Sequence, residues 1–356
     1  MKYRTLSKKA GFFALTVLTL TALGGCVLAT HLGLVGDKSP ARPVATLDVS
    51  SETRAMEFSP DGKQLAVFQT NLAEIQIWDW ENKRILQALP ATRGADARMA
   101  SRPIRYSPDG RLFAACLYQP DGSVAAQIWN TESWTLEQNL IDPGHTGGCN
   151  AIGFTGDSRS LLRLVDRPTS FEQDTLVAYD TRTWKIRFRL HIPGFHPYSL
   201  SLSRDNHVVA LGGVKVDGSE PTLQILLVDL ANMRVLRTIP NSLSGYSGHI
   251  AWSPDGAHIA ITGDEGAEIF DAHTGKMLVK DKNGGLGALI RYSPDERYLV
   301  ESGAGVAGDI VRIWDTQHHD TLQEFGFKPS SMAVSGSGRY FALGGDRTIQ
   351  VWQFKR

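Results

Sequence analysis

Little in this chain points to chemistry. Cysteine is scarce, with three residues in 356, at positions 26, 116 and 149. No C-x-x-C-H run is present, which excludes c-type haem attachment, and no H-E-x-x-H pair, which excludes the zinc-protease helix. No G-x-S-x-G elbow occurs; Gly245-Tyr246-Ser247-Gly248-His249 comes near it but lacks the second spacing. Neither sign of charge dominates, with 37 Lys and Arg against 37 Asp and Glu. Four of the basic residues, Lys2, Arg4, Lys8 and Lys9, fall in the first 25, and without them 33 basic residues face 37 acidic ones. A protein that neutralises phosphates carries a basic excess, so a nucleic-acid partner is not expected. With 42% hydrophobic and 21% charged residues, neither a disordered chain nor a many-spanning membrane protein is expected.

What is present begins with an address. Residues 1–10 are basic, and Gly11 to Leu23 is an apolar run of 13 uncharged residues. Alone it is too short for a hydrocarbon core of about 30 Å, and it reads as the centre of a secretory leader. The run ends in Leu23-Gly24-Gly25-Cys26, which resembles the lipobox of bacterial lipoproteins. That resemblance implies cleavage after residue 25 and lipidation of Cys26. Val27 follows the cysteine rather than Asp, which in lipoproteins of two-membrane bacteria looks like release to the outer membrane. The alternative is an uncleaved signal anchor over about 11–36, since Gly11 to Gly36 is 26 residues without a formal charge if His31 is neutral. Either way the bulk of the chain is expected outside the cytoplasm, with residues 26–43 forming the anchor and tether.

The rest is one motif repeated. Ser59-Pro60-Asp61-Gly62 recurs at Ser107 and Ser253, with degenerate copies at Thr155, Ser203, Ser293 and Ser335. Successive intervals are 48, 48, 48, 50, 40 and 42 residues. Large apolar residues stand one and three positions before each turn, as in Met56 and Phe58, Ile104 and Tyr106, or Ile290 and Tyr292. Period two of this kind predicts a strand with one buried face. A second apolar run follows each turn. A third ends in an aromatic-Asp pair in several copies, such as Trp78-Asp79 and Trp314-Asp315, and a fourth closes the unit.

The aromatic-Asp pairs, the S-P-D-G turn and the period resemble the WD-repeat (WD40) β-propeller family over about residues 43 to 356. The resemblance implies an all-β, seven-bladed WD40-like propeller over 44–356, its ring closed by an N-terminal strand at about 44–49 that completes the last blade. The family's hydrogen-bonded His, Ser/Thr, Trp and Asp set cannot be assembled in most repeats. Apolar packing between blades is therefore expected to dominate. Repeats three and four carry inserts at 165–175 and 213–222.

Most residues that invite a chemical reading have a structural one. The aromatics of the aromatic-Asp pairs are expected to fill space between blades. Gly303 to Gly308 matches G-x-G-x-x-G, but a strand pattern follows it instead of a helix, so it reads as an inter-strand loop. His318-His319-Asp320 reads as an exposed turn. Cys116 and Cys149 fall in neighbouring repeats, so a disulfide is open to them, but two separate buried thiols are the preferred reading. Glu57 and Arg105 hold equivalent positions and are expected to pair between blades; Arg291 holds the same position in repeat six.

In this family strand starts and their connecting loops lie on the top face, the usual binding surface. The resemblance therefore points to Arg54, Arg102, Tyr198, Tyr246 and His249 as partner contacts, with Arg93, Arg98, His145 and His196 close by. Arg and Tyr are favoured anchors in interfaces. The expected function is a membrane-anchored protein-interaction platform without catalysis, metal or cofactor. A small-ligand or glycan sensor and a propeller enzyme with a site at the channel mouth are the alternatives.

Overall fold

The computed structural model describes residues 39–72, 74–91, 104–119, 123–141, 149–165, 175–216, 220–243, 249–263, 266–281, 286–305 and 308–355. The compact unit is Pro40–Arg356. Its described residues form 28 strands in seven four-stranded antiparallel sheets. Each sheet is one repeat, so the sheets are numbered as blades one to seven in repeat order. Blade one runs Thr53–Phe58, Gln64–Gln69, Glu74–Asp79 and Arg84–Pro90 from its innermost to its outermost strand. The innermost strands of successive blades touch in order, and that of blade seven, Ser331–Val334, touches that of blade one. The result is a closed seven-bladed propeller of the WD40-like kind.

The turn chemistry explains why the repeat folds as it does. In blade one the Ser59 hydroxyl donates to Asp61 Oδ1 at 2.6 Å and accepts from the Gln64 amide at 2.9 Å. Asp61 Oδ1 in turn accepts from the Lys63 amide at 3.1 Å. Gly62 takes φ +74°, a left-handed conformation that glycine adopts without steric cost. Ser107–Asp109, Thr155–Asp157, Ser203–Asp205 and Ser293–Asp295 repeat the hydroxyl–carboxylate bond at 2.6 Å. In blade seven the Ser337 hydroxyl replaces the carboxylate, 3.1 Å from Ser335. The degenerate turns of blades three, four and six keep the conformation but not the glycine: Ser158, Asn206 and Glu296 sit at φ 59°, 60° and 65°.

Alternation along the innermost strands sends Met56 and Phe58 into the seam between blades, where both are buried, and leaves Glu57 only half-buried. The second and third strands are buried on both faces; Leu65, Val67, Ile75 and Ile77 are 0% exposed. Such side chains contribute on the order of 1.5–3 kcal/mol each through burial. The outermost strands alternate exposed and half-buried residues, as in Leu136–Ile141. Aromatics of the repeat fill the seams as expected: Trp80 meets Tyr340 of blade seven with ring centres 4.9 Å apart, and Phe325 of blade six stacks on Trp352 at 4.3 Å.

Polar ties reinforce this apolar packing in ways the repeat pattern did not announce. Gln69 accepts the amides of Ser50 and Ser51 at 2.9 and 3.1 Å and donates to Gln76 at 3.0 Å. Gln76 also accepts the Trp78 indole N–H. Arg163 of blade three, 1% exposed, donates to the carbonyls of Val124 and Leu140 in blade two. Glu268 of blade five, 0% exposed, accepts the Ser242 amide at 3.1 Å and its hydroxyl. Arg312 bonds Asp281 at 3.0 Å and Glu324 at 2.8 Å. Burying a polar group is costly unless it is bonded, and these ties supply bonds across or beside the seams.

The closing strand is Ala41–Asp48, three residues earlier at its start than the sequence pattern suggested. It pairs antiparallel with Thr348–Phe354, from Ala41 opposite Phe354 to Asp48 opposite Thr348. Without it blade seven would present an unpaired edge. Thr53, 0% exposed, locks the same seam: its amide donates to Gly345 O, and Ser331 Oγ donates to its hydroxyl at 2.9 Å. The G-x-G-x-x-G segment is a correction: its ends are strands, not loop, with Gly303–Gly305 ending one and Gly308 beginning the next, opposite Gly305.

The cysteines are a second correction. Cys116 lies in Leu112–Tyr118 of blade two and Cys149 opens Cys149–Phe154 of blade three; they form a disulfide with Cα atoms 6.0 Å apart. The ring brings the two strands side by side, within the span a disulfide requires. Separate thiols were the wrong expectation because a sequence separation of 33 hides this adjacency. Of the inserts at 165–175 and 213–222, residues 166–174 and 217–219 lie outside the described residues, while Gly213 to Lys215 and Thr222 belong to the strands Val208–Lys215 and Thr222–Asp229.

Candidate functional site: strand bulges and central channel

Strand starts display their side chains through β-bulges. The pairing of the innermost strand shifts register between Thr53 and Ala55, Cys149 and Ala151, Pro197 and Ser199, and Gly287 and Leu289. The extra residues are Arg54, Asn150, Tyr198 and Ala288, each five positions before its turn. A bulge leaves its extra residue out of the ladder and re-aims its side chain. Arg102 has the same sequence position in repeat two.

Arg54, Asn150 and Tyr198 are held differently. Arg54 donates through Nε to Thr70 Oγ1 at 3.1 Å and pairs with Glu52 at 2.9 Å. Its side chain is 24% exposed, so the pair is pre-positioned while open to solvent. Asn150 donates to Pro197 O at 3.1 Å, a tie from blade three to blade four. Tyr198 is half-buried against the apolar seam between blades four and five. His196 is also half-buried. Cys26, Arg102 and Tyr246 lie outside the described residues, as do Arg93, Arg98 and His145.

His249 belongs with the channel residues. It stands immediately before the blade-five strand Ile250–Trp252 and shares an electrostatic neighbourhood with Arg105 and Arg291. Glu57, Arg105 and Arg291 occupy the same position on innermost strands of blades one, two and six. Arg105 pairs with Glu57 at 3.3 Å, as the sequence suggested. It also donates to its preceding carbonyl, Ile104 O, at 2.8 Å, and Arg291 does the same to Ile290 O at 2.8 Å.

Burial governs the protonation of this group. It raises the Glu57 carboxyl above its ordinary range, and Arg105 and then Arg291 oppose that rise. It pushes Arg291 down to about 10, with repulsion from Arg105 adding to the effect and Glu57 countering it. It pushes His249 down to about 4, again aided by Arg291 and Arg105. His249 is therefore uncharged at neutral pH. Among the described residues, no group of three His, Cys, Asp or Glu side chains is placed to hold a metal ion.

Comparison with known proteins agrees with the fold. Residues 321–353 match the family model of the WD domain, G-beta repeat. That stretch covers the outermost strand of blade six and the three inner strands of blade seven, so a sequence repeat straddles two blades. The chain is similar to Protein TPR3 of Oryza sativa subsp. japonica, 22% identical over 78% of this chain and 25% of that protein. It is also similar to Topless-related protein 1 of Arabidopsis thaliana, 22% identical over 81% of this chain and 26% of that protein. Protein TOPLESS of the same plant is 20% identical over 89% of this chain and 25% of its own length. The chain thus spans about a quarter of the length of these relatives.

Proposed function

We propose that the protein is an extracytoplasmic interaction platform that binds a protein partner on the face carrying the strand bulges and performs no catalysis. The observation that carries this reading is the bulge set. A closed ring supplies a rigid frame, and blades one, three, four and six each lift one residue out of the ladder at the same position before the turn. Arg54 and Tyr198 offer a charged and an aromatic contact there, Arg102 has the same sequence position in repeat two, and Tyr246 stands in the segment before the blade-five strand. Such residues anchor interfaces because they combine large contact area with directional hydrogen bonds. The fold alone does not assign a function, so the weight rests on these side chains.

The Cys116–Cys149 disulfide supports a location outside the cytoplasm, since disulfides persist in oxidising compartments. It supports the reading of residues 1–25 as a leader and of Cys26 as a lipidated residue, and with them the proposal of a bacterial cell envelope, an outer membrane in a two-membrane cell.

Photo-crosslinking in cells tests the reading, with the crosslinker at position 102 or 198 and a control at 318. His318 lies on the turn after the third strand of blade six, with its side chain 65% exposed. One dominant protein trapped at 102 and 198 but not at 318 is the expected result. Equal trapping at all three positions, or none, rejects this face as the platform.

A further inference from the structure

Among the described residues the central channel carries a positive charge that is left unbalanced. Seven innermost strands present one residue each at the position of Glu57, and two of these are arginines, Arg105 and Arg291. The other four are Gly153, Ser201, Ala251 and Ala333, which cannot balance a charge. Glu57 is already paired with Arg105 at 3.3 Å. Arg291 has alanines at this position in both adjacent blades, and its carboxylate neighbour Glu57 is two blades away around the ring. Among the described residues no carboxylate lies within ion-pair distance of Arg291, and its one hydrogen bond goes to Ile290 O. A guanidinium has five N–H donors, so most of its capacity is unused.

Solvent reaches this group. The side chains of Arg105 and Glu57 are 29% and 28% exposed, although protein surrounds them. The small residues around the ring keep the space clear. A Cβ at Gly153 would lie 2.8 Å from Leu200 Cδ1, the end of a flexible side chain. Ser201 turns its hydroxyl to the Trp252 amide, 2.9 Å away.

A half-desolvated guanidinium without an anion is costly, and a planar fork of N–H donors suits a two-oxygen acceptor. We infer that the channel binds a small oxyanion, of phosphate or carboxylate type, between Arg105 and Arg291, with the His249 ring as a further polar neighbour. Glu57 then serves to hold Arg105 in place, and the bound anion supplies the second negative charge that the two arginines require. The inference stands apart from the platform reading, since it concerns the channel and involves no protein partner.

Calorimetric titration of the purified full-length chain tests it, with inorganic phosphate and citrate as separate probes at matched ionic strength. Saturable binding of one anion per chain is expected with at least one probe. A preference for phosphate assigns a phosphate site, and a preference for citrate a carboxylate site. Arg291→Gln should weaken binding about tenfold or more, the effect of losing a charge-assisted bond. Arg291→Lys keeps the charge but loses the fork, and should fall between the two. Arg297→Gln, on the exposed turn of the same blade, should bind as the parent does. If Arg291→Gln fails to fold, the lysine variant and the parent's His249 ring resonance decide, because a bound anion should shift that resonance. Absence of saturable binding to both probes, or equal binding by the Arg291→Gln and parent proteins, overturns the site.

Discussion

Cys116 and Cys149 are bonded across the seam between blades two and three, with their Cα atoms 6.0 Å apart. The bond restrains a segment of separation 33 in the unfolded chain and fastens one blade to the next. In the chain-entropy description, a loop of this size contributes about 2–4 kcal/mol. Cys116→Ser should therefore lower the unfolding free energy by that amount, read as a lower denaturant midpoint at unchanged m, and reductant should do the same to the parent. A parent protein whose unfolding curve ignores reductant would show that the bond does not contribute.

Glu296 occupies the turn position that glycine holds in four other blades, at φ 65°. A left-handed backbone costs a side-chain-bearing residue about 1–2 kcal/mol relative to glycine, part of which glycine returns through unfolded-state entropy. Glu296→Gly should stabilise the protein by about 0.5–1 kcal/mol. Thermal melts read this as a rise in midpoint. The equivalent changes at Ser158 and Asn206 should gain less, because Ser158 Oγ accepts the Asp109 amide at 3.0 Å and the Asn206 side chain accepts the Gly156 amide. Equal gains at all three positions would contradict the role given to those bonds.

Glu301 is 2% exposed, and its Oε2 has no hydrogen-bond partner. Burial pushes its carboxyl up to about 8; Asp281 adds to the rise and Arg312 opposes it. A raised carboxyl favours the protonated folded form. Its contribution to stability is therefore complete below the unfolded value of 4.5 and declines as pH rises through about 8. Glu301→Gln removes that dependence. The variant should match the parent near pH 4 and exceed it above pH 8, by on the order of 1–3 kcal/mol. Denaturant titrations at both values measure the difference, and a gap that does not change with pH defeats the assignment.

Arg54→Ala and Tyr198→Ala separate binding from stability. Arg54 lies in a solvent-open pair with Glu52, so its loss should change stability by less than about 0.5 kcal/mol. Tyr198 packs on the seam of blades four and five, and its loss should cost about 1–3 kcal/mol. Both should reduce capture of the crosslinked partner. Full capture by the well-folded Arg54 variant would remove Arg54 from the interface.

The legible part of this protein was its local chemistry. Period-two alternation, a Ser–Asp turn every 40 to 50 residues and aromatic-Asp pairs specify strands and turns within one repeat. Seven such units can bury their faces only by closing a ring, and the segment before the first copy had the pattern to latch it. The Glu57–Arg105 pair was legible for the same reason, since equivalent positions in adjacent copies become neighbours. Tertiary structure decided whatever depends on a register shift or a seam. One extra residue in a strand lifts Arg54 and Tyr198 out of the ladder, and no residue pattern marked those bulges. The ring brings Cys116 beside Cys149, sets His249 near arginines of blades two and six, and leaves Arg291 between two alanines with no carboxylate at ion-pair distance among the described residues. Arg163, Glu268, Glu301 and Arg312 read as ordinary surface charges along the chain; they are buried because a neighbouring blade covers them, and that cover exists only once the ring has closed.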